Sequence, residues 1–353
     1  MTRSKAYFKS RLAKFQSHFS KMGVGGFVIE NPKDLTYFTG LMMSKGMLLI
    51  TPKSATLFVD GRYKEAASKS SPYPVKDYGE KPLQNALSKI KSSKRFGFDT
   101  SMSFACHSAL KKPFSKIGLK GVDAPTFLVR SIKDQHEIAL LEKSANLLWK
   151  GFLHIRKKLK VGISEIELAR EFEFFVKKKG AEALSFDPII AFGKNSALPH
   201  HHSSSKKLRE NDVVLMDLGV VLNGYASDMT RMVFVGEVPK KMQEAYELVL
   251  KAANEALKLC KPNVEVAKLD LAARAAMGKD EKHFIHSLGH GIGLDVHESP
   301  LISKKSKKAV LEEGMVITIE PGIYLTNVGG IRYEDMIVIT KTGYKNFFKN
   351  IKP

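Results

Sequence analysis

Five residues able to bind metal constrain this chain more than anything else in it: Asp217, Asp228, His290, Glu320 and Glu334. Each stands in a short, largely apolar segment: VVLMDLGVVLNGYASDMTR, HSLGHGIGLDVHES, MVITIEPGIY and GGIRYEDMIVIT. Four carboxylates and one imidazole carry too much negative charge to be buried together unless a cation neutralises them. Whatever the fold, it has to bring these segments to one point. Two divalent ions sharing bridging carboxylates, about 3.5–4 Å apart, would balance the charge and make a hydrolytic centre.

The local context of each residue supports that reading. Asp217 follows four apolar residues and lies on the first of two strand-like runs around a turn at Asn223-Gly224. Side chains alternate along strands, so a hairpin there can bring Asp217 and Asp228 to one face. Gly289 and Gly291 flank His290 and Gly293 follows, which lets the backbone approach closely and aims the ring into a crowded site. His297 falls to substrate contact or proton transfer, while His286 is equally readable as a core histidine or as a support behind the site. Glu320 ends an apolar strand before Pro321-Gly322. Arg332 precedes Glu334 by two positions, which on a strand puts a cation on the same face as the carboxylate. The triplet His200, His201 and His202 follows Leu-Pro; adjacent side chains cannot all point one way, so His200 is expected to function and the other two to be exposed.

The chain has 353 residues, more than one core usually serves, so two domains are expected. No apolar run is long enough for a membrane span, and the basic start MTRSKAYFKSRLAKF continues with amphipathic spacing in place of a signal-peptide core. A cytoplasmic protein is the simplest expectation. Cys106 and Cys260 lack CxxC spacing and read as unpaired thiols. The net charge of +21 invites a polyanionic partner. Yet the lysines are scattered (KKK at 177–179, KK at 206–207, KKSKK at 304–308), with no aromatic-interleaved basic motif, which disfavours nucleic acid.

Along the chain, Phe8, Leu12, Phe15, Phe19 and Met22 mark one face of a helix, and GFVIE, MLLIT, ATLFV and RFGFD read as strands. Gly23, Gly25 and Gly26 precede a strand, so they suit a helix cap and turn and not a phosphate loop. A boundary falls near Ala124-Pro125, giving an N-terminal α/β domain over 1–124 and a second domain over 125–353. Asp134 with Glu137, and Ser164 with Glu167, are capping boxes that open helices. Another helix pair is expected at 240–259 and 265–277. Helix–helix–strands thus occurs twice, and KVGISEIEL resembles KPNVEVAKL, a hint of a duplicated half-domain. The class is α+β with an antiparallel sheet.

These segments closely resemble the pita-bread metallopeptidases, the group of aminopeptidase P, prolidase, methionine aminopeptidase and creatinase. The resemblance covers nearly the whole chain, from ENPKDLTYFTG and LFVDGRY through RSIKDQHEIALLEKSA to the ligand segments. It implies a small creatinase-like N-terminal domain and a catalytic pita-bread domain, with a curved, largely antiparallel sheet flanked by helices. It places the family's ligands on Asp217, Asp228, His290, Glu320 and Glu334, and implies a homodimer. SALPH, GYASDMTR, GHGIGLDVHE and EPGIY with GGIRYED resemble the Xaa-Pro-cleaving branch. Leu288 and Met336 depart from residues common there but remove no ligand.

The implied enzyme is an Xaa-Pro aminopeptidase acting on longer proline-containing peptides, with an Xaa-Pro dipeptidase as the alternative. Oxygen-rich ligation with one imidazole suits two Mn²⁺ ions per chain, with Co²⁺ or Zn²⁺ as substitutes. Glu320 would relay a proton, His200 and His297 would contact the substrate and its developing oxyanion, and Arg332 would bind substrate. A peptidase-fold binding protein without activity, or a nucleic-acid binder, are the readings from other classes.

Overall fold

The computed structural model describes residues 3–90, 94–306 and 308–349, so Met1 and Thr2 of the basic start, and Lys307 of the basic run, lie outside it. The chain divides into two compact units, Met1–Arg130 and Ser131–Pro353.

The first unit is built on a mixed sheet of strands β1 (Gly26–Ile29), β2 (Gly46–Ile50), β3 (Ala55–Val59), β4 (Val75–Asp77), β5 (Phe96–Asp99) and β6 (Leu119–Val122). Their order is β4-β3-β2-β1-β5-β6. The expected amphipathic helix is present as Lys5–Ser17 followed by Phe19–Met22, with Leu12, Phe15, Phe19 and Met22 buried. Gly23 ends it at φ +66°, the left-handed cap that only glycine takes readily. Cys106 donates to Glu30 here, and Cys260 of the second unit is buried against Ala256 O, so neither thiol is in a disulfide.

In the second unit both capping boxes form. Asp134 and Glu137 open the helix Gln135–Arg156, and Ser164 and Glu167 open Glu165–Lys178. The later pair is Lys240–Leu257 and Val266–Met277. Strands β7 (Ala183–Leu184), β8 (Ile189–Phe192), β9 (Val213–Leu218), β10 (Val220–Leu222), β11 (Tyr225–Ala226) and β12 (Met229–Phe234) follow the first pair. After the second come β13 (Gly289–Gly291), β14 (Glu298–Ile302), β15 (Val316–Ile319), β16 (Gly322–Leu325), β17 (Gly329–Arg332), β18 (Asp335–Ile339) and β19 (Tyr344–Asn346). Every pairing among these described strands is antiparallel, so the chain is α+β. Val249, Ala252, Ala256, Val266, Leu269 and Ala273 from the later helices pack on Ile317, Ile319, Ile331 and Ile337 of the strands.

One expectation needs correction. The turn at Asn223 (φ +52°) and Gly224 (φ +78°) joins the short strands β10 and β11 and leaves the longer runs unlinked. Positive φ at both positions matches a type I′ hairpin. The longer strands β9 and β12 pair with each other outside this inserted hairpin, with Leu218 opposite Met229 and Asp217 opposite Thr230.

The duplication is visible in hydrogen bonds. Gly162 N donates to Leu208 O, Leu208 N to Ile163 O and Glu165 N to Lys206 O. In the later half Asn263 N donates to Leu311 O, Leu311 N to Val264 O and Val266 N to Ala309 O. Each half ties the start of its second helix to the segment leading into its central strand, β9 or β15.

Candidate metal centre

Four strand ends of the second unit converge on one point. Asp217 is the penultimate residue of β9, and Asp228 stands just before β12. Glu320 follows β15, and Glu334 immediately precedes β18. His290 is the middle residue of β13, pressed against its neighbours: a Cβ on Gly289 would collide with Thr318 O, and one on Gly291 with Ser299 O. Those two positions take glycine because the strands approach too closely for any side chain.

Asp228, His290 and Glu334 each offer a ligand atom within 4.8 Å of the others. His290 Nε2 lies 3.7 Å from Asp228 Oδ2 and 3.5 Å from Glu320 Oε1. His290 Nδ1 is 3.0 Å from Gly291 O, an acceptor, so Nδ1 carries the proton and the Nε2 lone pair faces the carboxylates. Burial, together with His297, lowers the His290 pKa to about 4, so the ring is neutral at physiological pH.

Burial raises Asp228 well above the usual carboxylate range, and Glu334, Asp217 and Glu320 push it further. Glu320 is raised in the same way by burial and by Glu334. Burial and the Asp217 charge bring Glu334 to about 8. Asp217 Oδ1, Asp228 Oδ1 and Glu334 Oε1 are buried with no hydrogen-bond donor among the described residues. Buried carboxylate oxygens are almost always partnered. Three such oxygens converging beside an imidazole lone pair fit a divalent cation.

The surroundings fix these ligands. Arg332 Nη2 donates to Asp217 Oδ2 at 2.5 Å, Nε to Thr230 Oγ1 at 3.0 Å and Nη1 to the Tyr324 hydroxyl at 2.7 Å. Thr230 Oγ1 in turn donates to Glu334 Oε2 at 2.9 Å. Tyr324 continues the chain to His286 Nε2 at 2.9 Å, and His286 Nδ1 is held by Ser287 O. His286 is therefore a support behind the site, with burial lowering its pKa to about 4. Arg231 bridges Thr230 O and Glu334 O and pairs with Asp335 at 2.6 Å, tying β12 to the start of β18.

Two expectations look different in place. Arg332 ends β17 and Glu334 lies outside β18, so they do not share one strand; they meet through Thr230. All three Arg332 nitrogens donate to protein groups, Nη2 among them to Asp217. In the triplet, His200 and His202 are exposed, but His201 is not: its side chain is 10% exposed and paired with Glu165 at 2.8 Å. Burial first, and repulsion from His200 after it, lower the pKa of His286 and of His297. His297 is exposed, with its ring edge-on to His290 at 4.4 Å. The loop before it is braced by Glu298, which accepts from Asp295 N and from the buried Lys133 at 3.0 Å.

Sequence reasoning missed Tyr324, Thr230 and Glu165. Tyr324 left a signal: a tyrosine in an apolar strand needs a partner for its hydroxyl. Thr230 and Glu165 left none, because their partners come from distant segments.

The sequence profile of metallopeptidase family M24 matches residues 139–341, and that of the creatinase/prolidase N-terminal domain matches residues 11–132. A Xaa-Pro dipeptidase of Pyrococcus horikoshii is 37% identical over 343 residues, spanning 96% of this chain and 97% of its own. The structure of a Xaa-Pro dipeptidase from Bacillus anthracis matches with a TM-score of 0.92 and 33% identity, over 98% of this chain and 99% of its own. That of an X-Pro aminopeptidase from Thermotoga maritima matches with a TM-score of 0.85 and 31% identity, over 95% and 98%.

Proposed function

This chain belongs to metallopeptidase family M24, with a creatinase/prolidase N-terminal domain ahead of the peptidase domain, and on that premise we propose that it hydrolyses Xaa-Pro dipeptides. The observation that carries the choice of dipeptides is the 37% identity along the full length to a protein named Xaa-Pro dipeptidase. The reading from sequence alone put longer peptides first and dipeptides second. The ligand set serves either substrate, so it does not separate them. The full-length similarity supports the dipeptide, and the reading is revised accordingly.

In this reading Asp217, Asp228, His290, Glu320 and Glu334 hold two divalent ions, Mn²⁺ by ligand chemistry. When bound, such ions supply Lewis acidity to the scissile carbonyl and to the attacking water. The chain's own groups do the rest. The bond before proline has a tertiary nitrogen with no N–H, so its departure requires a proton delivered to that atom. Glu320, whose side chain is 18% exposed, takes the proton from water and gives it to the proline nitrogen. His200 and His297, on the open side, donate to the carbonyl oxygen as it gains negative charge. Arg332 holds Asp217 in orientation through their 2.5 Å contact.

A homodimer and a cytoplasmic location belong to the same reading; light scattering on the purified protein checks the first. Among the described residues no helix is long and apolar enough to cross a membrane. The deciding experiment compares Ala-Pro with Ala-Pro-Ala under Mn²⁺. Turnover of the dipeptide with little or none of the tripeptide is expected, and preference for the tripeptide returns the enzyme to the aminopeptidase branch.

A further inference from the structure

Glu165 is fully buried, yet none of the donors to its carboxylate among the described residues is a lysine or an arginine. Its five donors all come from residues 192–204. Oε1 accepts from Phe192 N at 2.8 Å and Asn195 Nδ2 at 2.8 Å. Oε2 accepts from His201 Nε2 at 2.8 Å, Ser204 N at 2.9 Å and Ser204 Oγ at 2.6 Å. Burial opposes its charge, but the donors of Ser204, Phe192 and His201 outweigh that and hold its pKa below the usual value. An ionised carboxylate only accepts, so His201 Nε2 carries a proton toward it.

The segment wrapped around Glu165 carries His200 between Pro199 and His201. It is gripped on another side by β17, where Gly330 N donates to Ser196 Oγ at 2.7 Å and Arg332 Nη1 reaches Pro199 O at 3.5 Å. In the other half of the unit, Val266 makes the backbone bond that Glu165 makes here, and its side chain is simply core. A helix start in this position folds without a carboxylate.

We infer that Glu165 and His201 are positioning residues that fix the 193–204 segment and so place His200 at the mouth of the site. The catalytic consequence rests on the role proposed for His200; the cradle itself does not. Misplacement of a catalytic group by about an ångström costs on the order of 10–100-fold in rate.

The test uses the full-length protein as His201→Ala, His201→Gln, Glu165→Gln, His200→Ala and the His200→Ala/His201→Ala double variant. Hydrogen–deuterium exchange should rise across 193–204 in His201→Ala and Glu165→Gln while 213–218 stays protected. His201→Gln, which restores a donor, should return exchange toward wild type. If Glu165→Gln fails to fold, the His201 variants decide the matter, His201 being less deeply buried than Glu165. On Ala-Pro, His201→Ala should lose on the order of 10–100-fold in kcat/KM with metal content unchanged, and should cost little more once His200 is already alanine. Unchanged exchange in 193–204 overturns the cradle. Losses that multiply in the double variant overturn positioning through His200. A wild-type enzyme inactive on every Xaa-Pro peptide defeats the functional reading instead, and the exchange data still judge the cradle.

Discussion

The two halves of the second unit are built alike and furnished differently. Each has a helix pair, a tie from the second helix to the segment before its central strand, and an antiparallel partner strand. In each, one carboxylate sits at the end of the central strand and another just before its partner. These are Asp217 and Asp228 in the first half, Glu320 and Glu334 in the second. The first half supplies short aspartates and a loop bearing the exposed His200; the second supplies longer glutamates, the imidazole of His290 and the exposed His297. The backbone repeat explains how four carboxylates come to face one another. The halves depart from the repeat at Glu165 against Val266, where a carboxylate that holds the 193–204 segment replaces an apolar helix start.

If the metal centre belongs to both halves equally, removing a ligand from either should be equally damaging. Asp228→Ala and Glu334→Ala should each reduce peptide hydrolysis to background while circular dichroism stays native. One of them retaining turnover near wild type would confine the centre to a single half.

His297→Ala separates the two roles proposed for the second half, His290 as metal ligand and His297 as substrate donor. It should keep the metal content of wild type and lose a factor on the order of 10²–10³ in kcat/KM, the usual cost of one donor to a developing charge. Loss of metal would make His297 a ligand, and unchanged activity would make it scaffold.

The smallest effect concerns stability. In the metal-free protein Asp228, Glu320 and Glu334 have raised pKa values, with Glu334 at about 8 against an ordinary 4.5. They hold protons in the folded state that an unfolded chain has already released, so stability is present in full below about pH 4.5 and is lost as pH rises toward 8. The Tm of metal-free protein should therefore fall by several degrees between pH 5 and 8 relative to the Mn²⁺-loaded form. Parallel Tm profiles for the two forms would contradict the assignment of these groups to the cation site.

Much of this was legible in the residues. The capping pairs Asp134–Glu137 and Ser164–Glu167 mark helix starts through side chains that act within one turn. Asp217 and His290 stand out because charge or glycine interrupts an apolar strand. What escaped depends on contacts between distant segments. Nothing near Glu165 reveals that residues 192–204 will close around it, so His201 passes for an exposed neighbour of His200. Arg332 and Glu334 look like strand neighbours until the chain turns between β17 and β18. Dipeptide or longer peptide was equally hidden, because every ligand motif serves both.

The central question is whether five residues from two repeated halves hold a pair of ions. Anomalous diffraction at the manganese edge, from crystals grown with Mn²⁺, tests that directly. The expected result is two peaks about 3.5–4 Å apart, touched by Asp217, Asp228, His290, Glu320 and Glu334 together. A single peak, or peaks lying away from these side chains, would contradict it.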